Sequence, residues 1–328
     1  MAQMPGSAGG LWRQTPPAIF PPILGLLGLG LALRRAGELP FWGEMGGGIS
    51  GVAELVLGAG TLLFGFALLA YLAKLLRRPA VVLEDLQILP GRTGLAACTM
   101  GAMLAVASVQ PYAPTLAWLG LCAGLAAHSV LAVLVAWVLM RGPAELRRPS
   151  PGWHLNFVGF IVGGIAAVAL GAPMLAWGLV VLTLPGAVVI WGLGAASFLR
   201  SDLPGPLRPL LMVHLAPACL YTVVLALLGQ IDIAFGFGVF ALLIALRLGL
   251  RWRWLASAGF TPLWGAFTFP VAAFASAMFL LVPVHWGFAV VGGGALLLAC
   301  VVTGFVLYRV LRLWALAKLG PQTNAARA

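Results

Sequence analysis

Residues 93–140 read TGLAACTMGAMLAVASVQPYAPTLAWLGLCAGLAAHSVLAVLVAWVLM, without one Asp, Glu, Lys or Arg. A single helix over this run would extend roughly 70 Å at 1.5 Å per residue, more than twice a ~30 Å hydrocarbon core. The run must therefore fold back, and Gln110-Pro111-Tyr112-Ala113-Pro114 is the breaker. Two apolar helices joined by a tight turn make a transmembrane hairpin. The same reading applies along the chain: the run 155–199 bends at Gly171-Ala172-Pro173, and the run 254–308 bends at Val282-Pro283-Val284-His285. With 62% hydrophobic and 8% charged residues and a mean hydropathy of +1.06, water is not the main solvent of this chain. The expected fold is an all-α polytopic membrane protein, one transmembrane domain over residues 1–328. Its spans fall at about 14–34, 50–74, 92–110, 113–140, 153–171, 173–199, 207–230, 231–250, 257–282 and 285–314. Ten transmembrane helices in this pattern form five helical hairpins.

Charge orients them. Cytoplasmic loops collect Lys and Arg, and with the N-terminus inside, 17 of the 19 basic residues fall on the inner side, from Arg13 and Lys74 to Arg327. Only Arg34 and Arg35, in the first outer loop, dissent. Both termini are therefore expected in the cytoplasm of a cell whose inner (plasma) membrane holds the protein. The +11 net charge is accounted for by topology. These basic residues cap helices and do not cluster on a soluble face, so no nucleic-acid partner is expected; the lipid bilayer is.

Few residues carry chemistry. Cys98, Cys122, Cys219 and Cys300 lie singly in separate spans, with no Cys-x-x-Cys pair and no zinc spacing, so neither a metal site nor an enzyme is expected. Glu54 and Asp232 sit near span ends and read as interfacial. The thin supply of intramembrane carboxylates argues for passive permeation over proton coupling. Of the four histidines only His154 and His214 share a depth, which leaves a haem-bearing electron-transfer subunit as a rival from another class. Otherwise no cofactor is expected.

Proline says more. Pro21 and Pro22 interrupt span one, Pro217 span seven and Pro270 span nine. Each removes an i→i−4 hydrogen bond, and broken backbone at membrane depth survives only inside protein or along a wet cavity. All three spans are odd-numbered. One bent helix per hairpin, five in all, could surround a central axis while the even ones face lipid.

Three local segments resemble one family, the bacterial tellurite-resistance/dicarboxylate transporters (TehA) and plant slow-anion-channel (SLAC) proteins. They are Phe20-Pro-Pro-Ile-Leu-Gly-Leu26, Leu215-Ala-Pro-Ala218 and Trp264-Gly-Ala-Phe-Thr-Phe-Pro270. The resemblance implies five hairpins around a pore lined by the odd helices, in a homotrimer. It also implies a pore plugged by the span-nine phenylalanine, Phe269 here. Phe20, Pro21, Pro22, Gly25, Pro217, Phe267 and Pro270 become candidates for lining or bending the pore. Spans three and five lack the family's usual prolines, so Gly101, Gly163 and Gly164 are expected to supply the bends there. The implied function is a gated anion channel for small inorganic monovalent anions of the chloride or nitrate kind. A carrier for tellurite, sulfite or a C4-dicarboxylate is the alternative, although a dicarboxylate calls for a cation in the pore and no Lys or Arg lies mid-span.

Overall fold

Prolines open the helices and glycines close the turns. In the computed structural model, which describes residues 14–40, 43–200 and 203–328, ten main helices follow in order. They are α1 (Pro17–Gly37), α2 (Met45–Arg77), α3 (Leu89–Val109), α4 (Pro114–Arg141), α5 (His154–Ala169), α6 (Pro173–Arg200), α7 (Gly205–Leu227), α8 (Ile231–Leu250), α9 (Pro262–Leu280) and α10 (Gly287–Ala315). Pro17, Pro114, Pro173 and Pro262 stand at first helical positions, where the missing N–H costs nothing. Gly171 and Gly229 close the α5–α6 and α7–α8 turns at φ of +73° and +75°, a conformation that favours glycine. Among the described residues there is no strand, and the chain is an all-helical, polytopic membrane protein.

Nine of the helices are long and apolar enough to cross a membrane. The fifth, α5, is shorter. Its 16 residues reach roughly 24 Å, and they open with a π-helical turn at His154–Val158 before the regular helix Ile161–Ala169. In α7 the first ten residues, Gly205–His214, are wound as a 3₁₀ helix and become α-helical at Leu215.

The odd helices make the inside. α1 packs on α3, α3 on α5, α5 on α7, α7 on α9, and α9 returns to α1, a closed ring of five. Each hairpin partner, α2, α4, α6, α8 and α10, packs outside its own odd helix. Burial separates the layers: the most apolar windows of α1, α3, α7 and α9 are 72–89% buried, while those of the five even helices are 28–33% buried. The even helices expose Leu62, Leu69, Val133, Leu243 and Val301, the surface expected against lipid chains.

Close helix approach depends on a few glycines. A Cβ on Gly25 would lie 2.2 Å from Thr268 Oγ1, so the α1–α9 seam closes only over a hydrogen atom at that position.

The face that carries Gln14 and Ala328, here the terminal face, is tied together by a buried ion pair. Lys74 at the end of α2 and Asp85 in the short helix Val81–Gln87 are both fully buried, Nζ to Oδ2 at 2.9 Å. The Tyr71 hydroxyl donates to Asp85 Oδ2 at 3.1 Å, Lys74 also donates to the Thr15 carbonyl at 3.3 Å, and the Ala326 N–H donates to Asp85 Oδ1 at 2.8 Å. Lys74 was expected as a loop cation. The structure corrects this: its ammonium turns inward because a carboxylate awaits it there. Arg13, counted above among the basic residues, lies outside the described residues.

Candidate functional site

Two cavities lie on the axis of the inner ring, and each is lined by all five odd helices. The smaller, about 30 Å³, is nearer the terminal face, between Ala18 and Pro21 of α1, Pro90 and Thr93 of α3, Leu155 of α5, Leu210 of α7 and Pro262, Leu263 and Ala266 of α9. The larger, about 410 Å³, opens toward the far face. Its wall is Gly28 and Leu31 (α1), Leu104 and Ala107 (α3), Ile165 and Val168 (α5), Leu220 and Val223 (α7), and Phe269, Ala273 and Ser276 (α9). Exposed Pro111, Tyr112 and Glu38 bring it to the surface.

Phe269 stands at the boundary. Along α9 the linings of the two cavities are one helical turn apart, from Ala266 to Phe269, roughly 4.5 Å of rise. Along α3 they are separated by everything from Thr93 to Leu104. The Phe269 ring is 4% exposed and lies across Gly28 of α1, where a Cβ would come within 2.9 Å of its Cδ2. Pro270 follows, removing the donor for the Ala266 carbonyl. The Thr268 hydroxyl donates to the Gly265 carbonyl at 2.8 Å and lies 3.2 Å from the carbonyl of Pro21, closing the seam beneath the ring.

The other candidates divide. Pro21 lines the smaller cavity. Pro22 is buried against the Gly265 side of the α1–α9 seam, as is Gly25 beside Thr268. Phe20 lines neither cavity: one residue round from Pro21, about 100° on the helix, it turns to α2 and packs edge-on against Phe64 and Tyr71, ring centres 6.1 Å away in each case. Phe267 faces outward onto Trp264 at 5.4 Å, in an aromatic group with Phe260 and Phe305. Pro217 is buried just past the 3₁₀-to-α junction of α7 and touches neither cavity. The three glycines lie within helix and are packed closely by neighbours. Gly101 sits in continuous helix with Phe64 of α2 against it; Gly163 abuts Leu125 and Met103, and Gly164 abuts Val224 of α7, both within the regular part of α5. The irregularity expected of them falls earlier, in the π turn at His154–Val158.

The histidines are spoken for. His154 Nε2 and His214 Nδ1 hydrogen-bond directly at 3.1 Å, with ring centres 5.1 Å apart, so a haem iron between them has no room. His128 pairs with Thr99 Oγ1 at 2.6 Å, and His285 Nδ1 accepts the Gly287 N–H at 3.0 Å. Among the described residues no group of three or more His, Cys, Asp or Glu is placed to hold a metal.

Charged residues in the wall of the larger cavity were missed from the sequence. Arg34, Arg35, Glu38 and Glu54 all line it, with Gln110 and Tyr112. Arg34 grips Glu54 with two N–H groups, Nε to Oε1 at 2.8 Å and Nη2 to Oε2 at 2.9 Å. Its Nη1 donates to the Ala107 carbonyl at 3.1 Å. The Tyr112 hydroxyl donates to Glu54 Oε2 at 2.9 Å, and that bond, with the carboxylate's charge, raises the phenol above its ordinary pKa and keeps it a donor. Arg35 pairs with Glu38 at 2.7 Å. The available signal was the pair of arginines that broke the inside-positive pattern.

The ring of five odd helices thus encloses two cavities, apolar in their depth and charged at the far mouth, with the buried Phe269 at their boundary along α9. No curated protein matches the sequence. The family model described as voltage-dependent anion channel (SLAC1) matches residues 14–311, nearly the whole chain. The chain belongs to this family of membrane anion channels and transporters.

Proposed function

We propose that this protein is a gated channel for small monovalent anions, with Phe269 as the gate. The observation that carries the reading is the position of that side chain, buried in the cavity wall on α9, the helix along which the linings of the two cavities come within a turn of each other. The walls on either side are almost wholly apolar away from the far mouth, so an anion crosses by shedding water. Weakly hydrated ions such as nitrate or iodide should then pass more readily than chloride, and sulfate least. A transported dianion finds no cation at the closure itself, which favours the channel over a dicarboxylate carrier. Liposomes holding the purified protein, assayed by anion-substitution flux, test this directly. A permeability order that follows dehydration supports it; flux confined to one dicarboxylate or oxyanion, with saturation and exchange, supports the carrier.

The orientation belongs to the same proposal. The terminal face is taken as cytoplasmic, on the weight of its basic residues, in a plasma membrane, and three copies are taken to assemble with one pore each. A reporter after Ala328 should read inside and one at Pro283 outside. The reverse pattern would overturn the orientation.

A further inference from the structure

The far cavity contains two arginines and two glutamates, yet its wall has no net formal charge, because each guanidinium is matched by one carboxylate. The two pairs are unequal. Arg35 and Glu38 are successive turns of α1, and Glu38 is half exposed, so solvent screens them. Arg34 and Glu54 come from different helices, with side chains only 17% and 35% exposed, and a third helix supplies the Ala107 carbonyl. A fourth element, the α3–α4 turn, contributes Tyr112, whose hydroxyl is fixed on Glu54. This is a built site. Of the five N–H donors of a guanidinium, three are used by Glu54 and Ala107, leaving two for a ligand in the cavity.

We propose that Arg34 is an anion-binding station in the far cavity and that Glu54, clamped by Tyr112, sets its affinity by partial neutralisation. A bare, half-buried arginine beside a pore holds an anion too long for conduction, and a pore needs binding firm enough to admit the ion and weak enough to release it. The paired arginine meets both demands. The expected ligands are small monovalent anions, the class the channel reading gives. The inference rests on the channel reading for its consequence in flux, but binding itself can be measured apart from it.

The test uses the full-length protein with Phe269→Ala as parent, so that flux is measurable, and varies anion concentration on the far side alone. Glu54→Gln keeps shape and should lower the half-saturating nitrate concentration about tenfold while reducing the maximal rate. Arg34→Gln leaves an unmatched carboxylate and should raise half-saturation by a similar factor. The double variant lacks the binding guanidinium and should stay well above the parent in half-saturation; its departure from the product of the two single changes measures the coupling of the pair. Stabilisation by added nitrate in a thermal melt supplies the second measurement, greater for Glu54→Gln than for the parent. Equal half-saturation and equal nitrate stabilisation in all four proteins would overturn the station and leave the channel standing. If the parent shows no flux while Glu54→Gln binds nitrate more tightly, the station stands and the channel reading falls.

Discussion

Replacing Phe269 by Ala should raise anion flux by at least tenfold over the wild type in proteoliposomes, with assembly unchanged. On the proposed reading the ring closes the level between the cavities, and its removal should join the far cavity of about 410 Å³ to the terminal-side one. An aromatic ring in a narrow apolar pore stops ions sterically and by dewetting, and an Ala at this position does neither. The same truncation in a packed core costs about 3–5 kcal/mol and leaves transport per folded molecule unchanged or lower, so flux and melting temperature together separate the two roles. Phe267→Ala is the control. Its ring is two residues away but packs outward on Trp264, so it should lose stability without gaining flux. Activation of equal size in both variants would remove the gate from Phe269. In the wild type, swinging the ring off the axis requires a rotamer change of only a few kcal/mol, within reach of a regulating ligand or partner.

Much of the fold was legible because a bilayer allows few solutions. Charge-free runs too long for one crossing had to bend, and the bends stand at the Pro and Gly clusters that marked them, at 110–114, 171–173 and 282–285. Prolines in spans one, seven and nine pointed to the odd helices as the inner set, but proline alone does not mark that set: Pro185 lies inside the outer helix α6, and Pro21 and Pro22 stand in the first turn of their α-helix. What stayed hidden was azimuth. Phe20 and Pro21 are neighbours in sequence, and one packs on α2 while the other lines a cavity; without a packed structure nothing tells them apart. The close packing at Gly101, Gly163 and Gly164 was hidden for a related reason. A glycine in a membrane helix reads alike whether it kinks the backbone or admits a neighbour's side chain, and here Phe64 and Val224 take the space. The charged mouth was missed for a different reason. Arg34 and Arg35 were weighed only as votes on topology, while Glu54 was read as interfacial, and only the three-dimensional approach of α1 to α2 makes them one site.

Asp85→Ala should be among the most destabilising single substitutions in the chain, by about 3–5 kcal/mol, because it strands the Lys74 ammonium in a site with no solvent access. The Thr15 carbonyl and the face of the Tyr71 ring, 5.1 Å away, would remain to Lys74, and the Tyr71 hydroxyl and the Ala326 N–H would each lose an acceptor. The cost comes from the orphaned charge more than from the lost attraction, since a buried pair gains in Coulomb energy roughly what it spends in desolvation. A double substitution distinguishes these. Lys74→Met with Asp85→Leu removes both charges and keeps the volume, so it should recover most of the melting temperature that Asp85→Ala loses. It should not recover the tail. The Ala326 N–H reaches Asp85 across 241 positions of sequence, and the Arg327 carbonyl accepts from Arg78 beside it, so amide protection over residues 323–327 should fall in the double variant even as the bundle melts like the wild type. A melt for Asp85→Ala within about 0.5 kcal/mol of wild type would mean that Lys74 finds water or another acceptor, and that the pair is not what ties α2, the Val81–Gln87 helix and the C-terminal segment together.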